Sequence, residues 1–240
     1  TINANITNTG SITATDNLTI NGAVTSSGTI DIAATRSLTF SGGAVALNAG
    51  GSLIGTGTLA LAGGATLTNA GTIDAATTST VGTLAITGGV TFASGTLKVD
   101  VDTATSYDTL TVSGALDLSS TGDTLNLDFT GYTAADNDSL TVLTAGSLTG
   151  GAFDTVTHNL ASGWGVSVSQ GVSTVVSVQS TATSLDGTAG ADVMVGGVGN
   201  DIINGAAGND TIFGGAGADT FTTVTGDVAA QVQPRSPTTH

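Results

Sequence analysis

The sequence predicts an all-β protein in two parts, a right-handed parallel β-helix or solenoid followed by a short parallel β-roll. Three observations support this fold class. Apolar residues recur about every 20 residues near the start, and Gly and Asp recur at every ninth position near the end. The chain of 240 residues has eighteen Asp and no Glu, one Lys and two Arg. Without Lys, Glu and Arg there is little to form the exposed faces of helices, while short alternating runs of Thr, Val, Ile and Ala favour strands.

Residues 1–178 are predicted to form the solenoid. A polar turn and a glycine precede a short apolar strand in each copy of the repeat. One apolar series recurs with slightly unequal steps, and a second keeps nearly the same period. The first series is Ile12, Ile30, Leu53 and Ile73, and the second is Leu18, Leu38 and Leu59. Two series with one period indicate two faces of a single coil, in which strands of successive turns stack at ~4.8 Å.

Asparagines recur with roughly the same period, at Asn8, Asn48 and Asn69. We therefore expect their side-chain amides to stack as a ladder along one corner of the coil. A sandwich of β-hairpins is the alternative architecture, and the self-similarity of the repeats argues against it.

Closing coils of the solenoid are expected from about residue 95. The stretch 95–178 resembles the last part of bacterial autotransporter-like passengers and of adhesin-like proteins with β-strand repeats, which implies final coils and a cap. Most of the aromatic residues lie here, and we expect them to close the core, with a sugar-stacking platform as the alternative. They are Tyr107, Phe129, Tyr132, Phe153 and Trp164. Residues 179–186 are predicted to be a linker and residues 223–240 a flexible tail.

Residues 187–222 consist of four nonapeptide repeats that align without gaps. Glycine occupies the first and fourth positions, Asp the sixth, and an apolar residue the eighth. The glycines are Gly187, Gly190, Gly196, Gly199, Gly205, Gly208, Gly214 and Gly217, and the acidic residues are Asp192, Asp201, Asp210 and Asp219. The second position, glycine in two repeats, is Thr188 or Ala206 in the others. Four copies in register are not expected by chance.

The repeat combines the oxygen ligands that Ca²⁺ prefers. Glycine-rich turns expose backbone carbonyls and Asp adds a carboxylate, which suits a cation that takes six to eight oxygens at roughly 2.3–2.6 Å. Two repeats make one turn of the roll, so Asp192 should stack with Asp210 on one edge and Asp201 with Asp219 on the other. An ion between stacked loops would bridge each pair. Because the carboxylates repel without it, we expect folding of the roll to be coupled to calcium binding.

The four repeats match the G-G-x-G-x-D-x-U-x pattern and so resemble the repeats-in-toxin (RTX) family. This resemblance implies a calcium-binding β-roll and a secreted protein of a Gram-negative bacterium, exported unfolded and folded by calcium outside the cell. The ending of the chain is unlike the family's secretion signal, and the start has no signal peptide. We therefore expect a fragment or a mature segment, or export by another route.

Composition argues against several classes of function. A net charge of −15 disfavours nucleic acid and anionic membrane surfaces, and the absence of Cys excludes disulfides and thiolate metal sites. No apolar stretch is long enough to insert into a membrane. Neither H-E-x-x-H nor G-x-S-x-G is present. Lys98 with Tyr107 and Asp108 is the one conceivable catalytic remnant, and we expect a solvated turn there. We therefore expect no enzyme activity.

The sequence predicts an extracellular structural or adhesive surface protein with calcium-dependent folding or assembly. Its partners would be calcium ions, further copies of the chain in a fibre or lattice, or cell-surface carbohydrate. A surface-layer subunit is an alternative. Another is the non-catalytic β-helix and RTX module of a polysaccharide-modifying enzyme, since alginate epimerases join a β-helix to such repeats.

Overall fold

The computed structural model describes residues 1–76 and 80–222, together with the backbone of a strand at 231–232. These residues form strands, turns and bends but no helix, which confirms the all-β prediction. No helix in the described part of the chain is therefore long and apolar enough to cross a membrane. Apart from the strand at 231–232, the predicted tail lies outside the described residues.

The described strands are numbered β1 to β27 in chain order. Those of the coil are β1 (Ile6–Asn8), β2 (Ser11–Ala14), β3 (Leu18–Ile20), β4 (Val24–Ser26), β5 (Thr29–Ile32), β6 (Ser37–Ser41), β7 (Val45–Leu47), β8 (Ser52–Gly55), β9 (Thr58–Ala62), β10 (Leu67–Asn69), β11 (Thr72–Asp74), β12 (Thr83–Thr87), β13 (Val90–Phe92), β14 (Thr96–Thr103), β15 (Ser106–Tyr107), β16 (Thr109–Asp117), β17 (Thr124–Asp128), β18 (Asp138–Thr149) and β19 (Thr155–His158). The remaining strands are β20 (Trp164–Ser169), β21 (Ser173–Ser180), β22 (Leu185–Asp186), β23 (Asp192–Val198), β24 (Ile202–Asn204), β25 (Thr211–Ala216), β26 (Thr220–Thr222) and β27 (Gln231–Val232).

Strands of the coil stack in three parallel columns. The first column is β1-β4-β7-β10-β13, the second is β2-β5-β8-β11-β14-β17-β19, and the third is β3-β6-β9-β12. The long strand β16 pairs with both β12 and β13, so it joins the first and third columns, and β18 pairs in parallel with β16. This arrangement confirms a β-helix with its aliphatic core enclosed by the three columns.

Both predicted apolar series occupy matching positions in the coil. In the second column Ile12 aligns with Ile30, Leu53 and Ile73, and the series continues through three further turns to Val156. The step in sequence is shortest from Ile12 to Ile30 and longest at the last turn, which ends at Val156, so the turns lengthen toward the C-terminal end. The extra residues lie partly between the strands and partly in longer strands such as β18, and the inward-facing side chains of the column stay aligned.

The expected asparagine ladder is wrong. Along the first column, Asn8 aligns with Ser26, then with Leu47 and Asn69. The amide of Asn8 donates to the Ser26 hydroxyl at 3.0 Å. Asn48 lies one residue beyond its strand, where it is exposed. Because turns differ in length, a nearly constant spacing in sequence did not place the three amides in one column.

Antiparallel pairing closes the coil and extends its sheet into the repeats. β18 pairs with β21, β21 with β20, and β20 with β23, all antiparallel. Phe153 packs edge-on against Phe92 with ring centroids 5.4 Å apart, and Phe129 is also buried. Tyr107, Tyr132 and Trp164 are only partly buried. The two buried phenylalanines therefore help to close the core, while the other three rings reach the surface.

Residues 179–186 form parts of two strands rather than a free linker. Residues 179 and 180 end β21, and β22 pairs with β24 through Leu185 and Ile203. Leu185 is fully buried in the core of the roll. It stands one repeat length before Met194, at the eighth position of the preceding nonapeptide frame, but without the glycines and Asp that identify a repeat. The roll therefore begins before its sequence signature.

Asp123 is a buried acid at a corner of the closing coils. It is fully buried, its Oδ1 accepts from the Asp154 backbone at 2.8 Å, and within the described residues its Oδ2 has no hydrogen-bond partner. Desolvation raises the pKa of Asp123 from 3.8 to about 6. The Asp123 carboxyl therefore binds a proton more tightly in the folded state than in the unfolded state. The free energy of unfolding falls as pH rises between the unfolded and the folded pKa of this group.

Replacing Asp123 with Asn should remove this dependence, because the amide keeps the accepting oxygen and carries no charge. We expect Asp123→Asn to raise the melting temperature at pH 7–8 by a few degrees and to change it little near pH 4. Thermal denaturation followed by circular dichroism across this range measures the effect. Exposed Asp16→Asn is the control. A melting temperature lowered equally at all pH values would contradict the assignment.

Candidate metal centre

The roll is a narrow stack of two short sheets. β23 pairs with β25 on one side, and β22, β24 and β26 pair on the other. Met194 aligns with Ile212 and Ile203 with Phe221, so the eighth positions of alternate repeats stack as predicted. Leu185 joins Met194, Ile203 and Ile212 in the buried core, with Phe221 partly buried. The loops between these strands carry the glycines and acidic residues.

The loops stack in two pairs on opposite edges of the roll. The backbone N–H of Asp192 donates to Oδ1 of Asp210 at 3.1 Å. On the other edge the N–H of Asp201 donates to Oδ1 of Asp219, also at 3.1 Å. The structure thus places the four acidic residues in the two pairs that the repeat length predicts. Their role as metal ligands stays a prediction.

Glycine at the first position leaves room for the carboxylate of the same repeat. A Cβ on Gly196 would lie 2.6 Å from Oδ2 of Asp201, and one on Gly205 would lie 2.7 Å from Oδ2 of Asp210. Both distances are shorter than van der Waals contact allows. A side chain at this position would therefore expel the carboxylate from its loop.

Glycine at the fourth position lets adjacent loops approach each other. Gly208 and Gly217 have φ values of 139° and 145°, in a region that favours glycine. A Cβ on Gly208 would collide with the carbonyl of Gly190, and one on Gly217 with the carbonyl of Gly199. Each pair of loops therefore brings backbone carbonyl oxygens as well as carboxylates to one narrow gap.

Three of the carboxylates are buried in these gaps. Asp192, Asp201 and Asp210 are 1%, 1% and 2% exposed. Among the described residues, Oδ1 of Asp192 and both oxygens of Asp201 lack a hydrogen bond of normal geometry. Desolvation raises the pKa of Asp201, the nearby hydroxyl of Thr181 lowers it, and the Asp219 carboxylate raises it. A charged group buried in this way is costly unless a cation accompanies it.

The residues present fit Ca²⁺. The stacked loops supply carboxylates and backbone carbonyls, and hard cations prefer oxygen. Asp192 with Asp210, and Asp201 with Asp219, would hold one ion in each gap together with the loop carbonyls. When bound, such an ion supplies the positive charge that joins the two loops. The chain itself provides the spacing, the burial and the room for the carboxylates.

The two departures from glycine at the second position have different consequences. Ala206 has a left-handed φ of 62°, where Gly197 and Gly215 have 104° and 96°. Alanine in this region is strained by roughly 1 kcal/mol relative to glycine. Thr188 instead donates its hydroxyl to Oδ2 of Asp192 at 2.8 Å. The first departure strains its loop, and the second occupies one oxygen of the carboxylate.

A second acidic cluster lies inside the coil, and the solvated turn expected there is wrong. Lys98 Nζ lies 2.6 Å from Asp100 Oδ1 and 3.3 Å from Asp74 Oδ2. Asp108 is fully buried and accepts from the Gly82 backbone at 2.8 Å. Desolvation raises its pKa to about 6. Sequence reasoning missed this cluster because Asp74 ends β11 and Asp108 follows β15, and only the coil brings both beside Asp100 of β14.

Comparison with known families identifies the repeats. Residues 186–221 match the RTX calcium-binding nonapeptide repeat in four copies. Comparison with curated proteins and with solved structures finds no match. The predicted RTX region and its Ca²⁺ cofactor are thus confirmed, and RTX repeats are typical of secreted proteins of Gram-negative bacteria. The match is confined to the roll.

Relieving the strain at Ala206 should favour the calcium-bound roll. We expect Ala206→Gly to lower the calcium concentration at half-folding by about two- to fivefold, because glycine adopts the observed φ freely. A calcium titration followed by circular dichroism measures this midpoint. Ala207→Gly is the matched control, since Ala207 is not in the left-handed region and gains only backbone entropy when unfolded. Shifts of the same sign in both variants would contradict the explanation.

Proposed function

We propose that this chain is an extracellular structural or adhesive surface protein in which a rigid β-helical rod precedes a roll that folds on calcium. The observation that carries the proposal is the burial of Oδ1 of Asp192 and both oxygens of Asp201 without a hydrogen bond of normal geometry from the described residues. A roll with five core side chains buries little apolar surface. It therefore depends on the ions for much of its stability.

Calcium dependence supports an extracellular location. Cytosolic calcium is low, so the stacked carboxylates would repel one another there and keep the repeats open. Calcium outside the cell would neutralise them and close the roll. An adhesive or structural role needs the closed roll only after export. A solenoid with its own aliphatic core would provide a stable rod with or without calcium.

A surface groove near the end of the coil supports an adhesive function. It has a volume of about 530 Å³ and lies between residues 129–134 and 159–161, with Trp164 at one wall. Tyr132 supplies a second aromatic surface, and threonines and an asparagine supply polar groups. The ten lining residues carry no charge. Aromatic faces beside uncharged hydrogen-bonding groups suit a neutral carbohydrate, whereas a chain of net charge −15 disfavours an acidic one.

Two alternatives keep the same calcium chemistry. The chain could be a subunit of a surface layer or fibre, in which copies associate through the rod. It could also be the non-catalytic part of a polysaccharide-modifying enzyme. We propose that it is itself non-catalytic, which is supported by the engagement of Lys98 in ion pairs with Asp74 and Asp100.

Retention of the chain in gels that contain neutral polysaccharides tests the adhesive role. With calcium present, we expect retardation that Trp164→Ala or Tyr132→Ala weakens about three- to tenfold, because each substitution removes a stacking surface. Val172→Ala, which trims an exposed apolar side chain that is not among the lining residues, is the control. Equal retention of all variants, or stronger retention by acidic polysaccharides, would contradict a neutral-carbohydrate adhesin. Filaments or two-dimensional arrays seen by electron microscopy would favour the assembly alternative.

A further inference from the structure

The acidic side chains of the roll reach toward the preceding level of the stack. Oδ1 of Asp210 accepts from the backbone of Asp192, and Oδ1 of Asp219 accepts from the backbone of Asp201. Each upper carboxylate thus spans the gap below it. Among the described residues, no further RTX loop lies below Asp201. The neighbouring element there is the turn that follows β21, where Thr181 lies.

Thr181 is held between the coil and the roll. Its backbone N–H donates to the Gly163 carbonyl at 3.0 Å, and its carbonyl accepts from Ile202 at 3.3 Å. The side chain is 1% exposed, and its Oγ1 has no hydrogen bond of normal geometry with any described residue. The hydrogen bond from Ile202 brings Thr181 beside Asp201, the residue that precedes Ile202.

Ser162 approaches the same carboxylate from the end of the coil. A Cβ placed on Gly199 would lie 3.1 Å from Oγ of Ser162 and 3.9 Å from Oδ1 of Asp201. Glycine at this position, with a φ of 133°, leaves the space between the hydroxyl and the carboxylate open. Both oxygens of Asp201 are buried without hydrogen bonds of normal geometry from described residues. Ser162 Oγ and Asp201 Oδ1 therefore flank one open space, and Thr181 lies in the turn beside Asp201.

We propose that a third calcium ion binds at the junction between coil and roll, held by the Asp201 carboxylate and the hydroxyls of Thr181 and Ser162. This proposal rests on the proposed function, because it assumes that the roll binds calcium. It differs from the two sites between stacked repeats, since two of its ligand groups come from outside the repeats. Carboxylate and hydroxyl oxygens are ligands that suit a hard divalent cation, with water completing the shell.

An ion here would tie the roll to the wall of the groove. Ser162 and Gly163 directly precede Trp164, which lines that groove. The same segment contacts the roll through His158, whose Nε2 lies 3.3 Å from the Val195 carbonyl. Calcium at the junction would thus fix the segment that positions the aromatic wall, in addition to closing the roll.

Counting the bound ions tests the proposal. The full chain and the double variant Thr181→Val with Ser162→Ala are dialysed against calcium, and the bound metal is measured per chain. We expect the double variant to bind one ion fewer than the wild type while circular dichroism still shows a roll folded by calcium. Thr183→Val, on the exposed part of the same turn, should bind as many ions as the wild type. Sensitised terbium emission, excited through the single tryptophan, should fall at least twofold in the double variant alone.

The outcomes distinguish the junction site from the proposed calcium-dependent function. If calcium folds the roll in every variant and the double variant binds as many ions as the wild type, the junction site is refuted and the proposed function stands. If Thr183→Val loses an ion as well, the loss reflects the turn and the ligand assignment is refuted. If the wild type neither binds calcium nor changes its circular dichroism, both proposals fail.

Discussion

Backbone pairing between successive turns is the interaction on which both parts of this protein depend. One continuous sheet runs from β1 through β16, β18, β21 and β20 into β23 and β25. It begins in parallel coils, passes through an antiparallel closure and returns to parallel pairing in the roll. Each new level therefore forms on an edge that the previous level has already ordered, which lowers the entropic cost of adding short strands.

β23 belongs to the hydrophobic cores of both parts. Val193 and Val195 pack with the core of the coil, whereas Met194, between them, faces the core of the roll. Alternation along a strand makes this division possible, because neighbouring side chains point to opposite faces. The first repeat is consequently anchored by apolar contacts that need no ion. The dependence on calcium falls mainly on the later repeats, where acidic loops stack on each other.

The sequence was sufficient to predict the features that depend on recurring apolar residues. The apolar series that begins at Ile12 and the nonapeptide frame both appeared in the structure at the expected register. Features that depend on which polar residues meet across the turns were not predicted correctly. Turns of unequal length separated Asn48 from Asn8 and Asn69. The coil also brought Asp108 beside Asp74 and Asp100. Leu185 was missed because a core position without its glycines and Asp leaves no local pattern.

Hydrogen exchange of the full chain, with calcium and with EGTA, tests the central claim that ions between acidic loops order the roll. We predict that amides of β24 and β26 exchange at least tenfold faster in EGTA, while amides of β5 and β8 in the coil exchange equally in both conditions. The calcium-dependent change in exchange rate should be intermediate for β23, since one face of this strand packs on the coil. Protection of β24 and β26 that is the same with and without calcium would contradict the account.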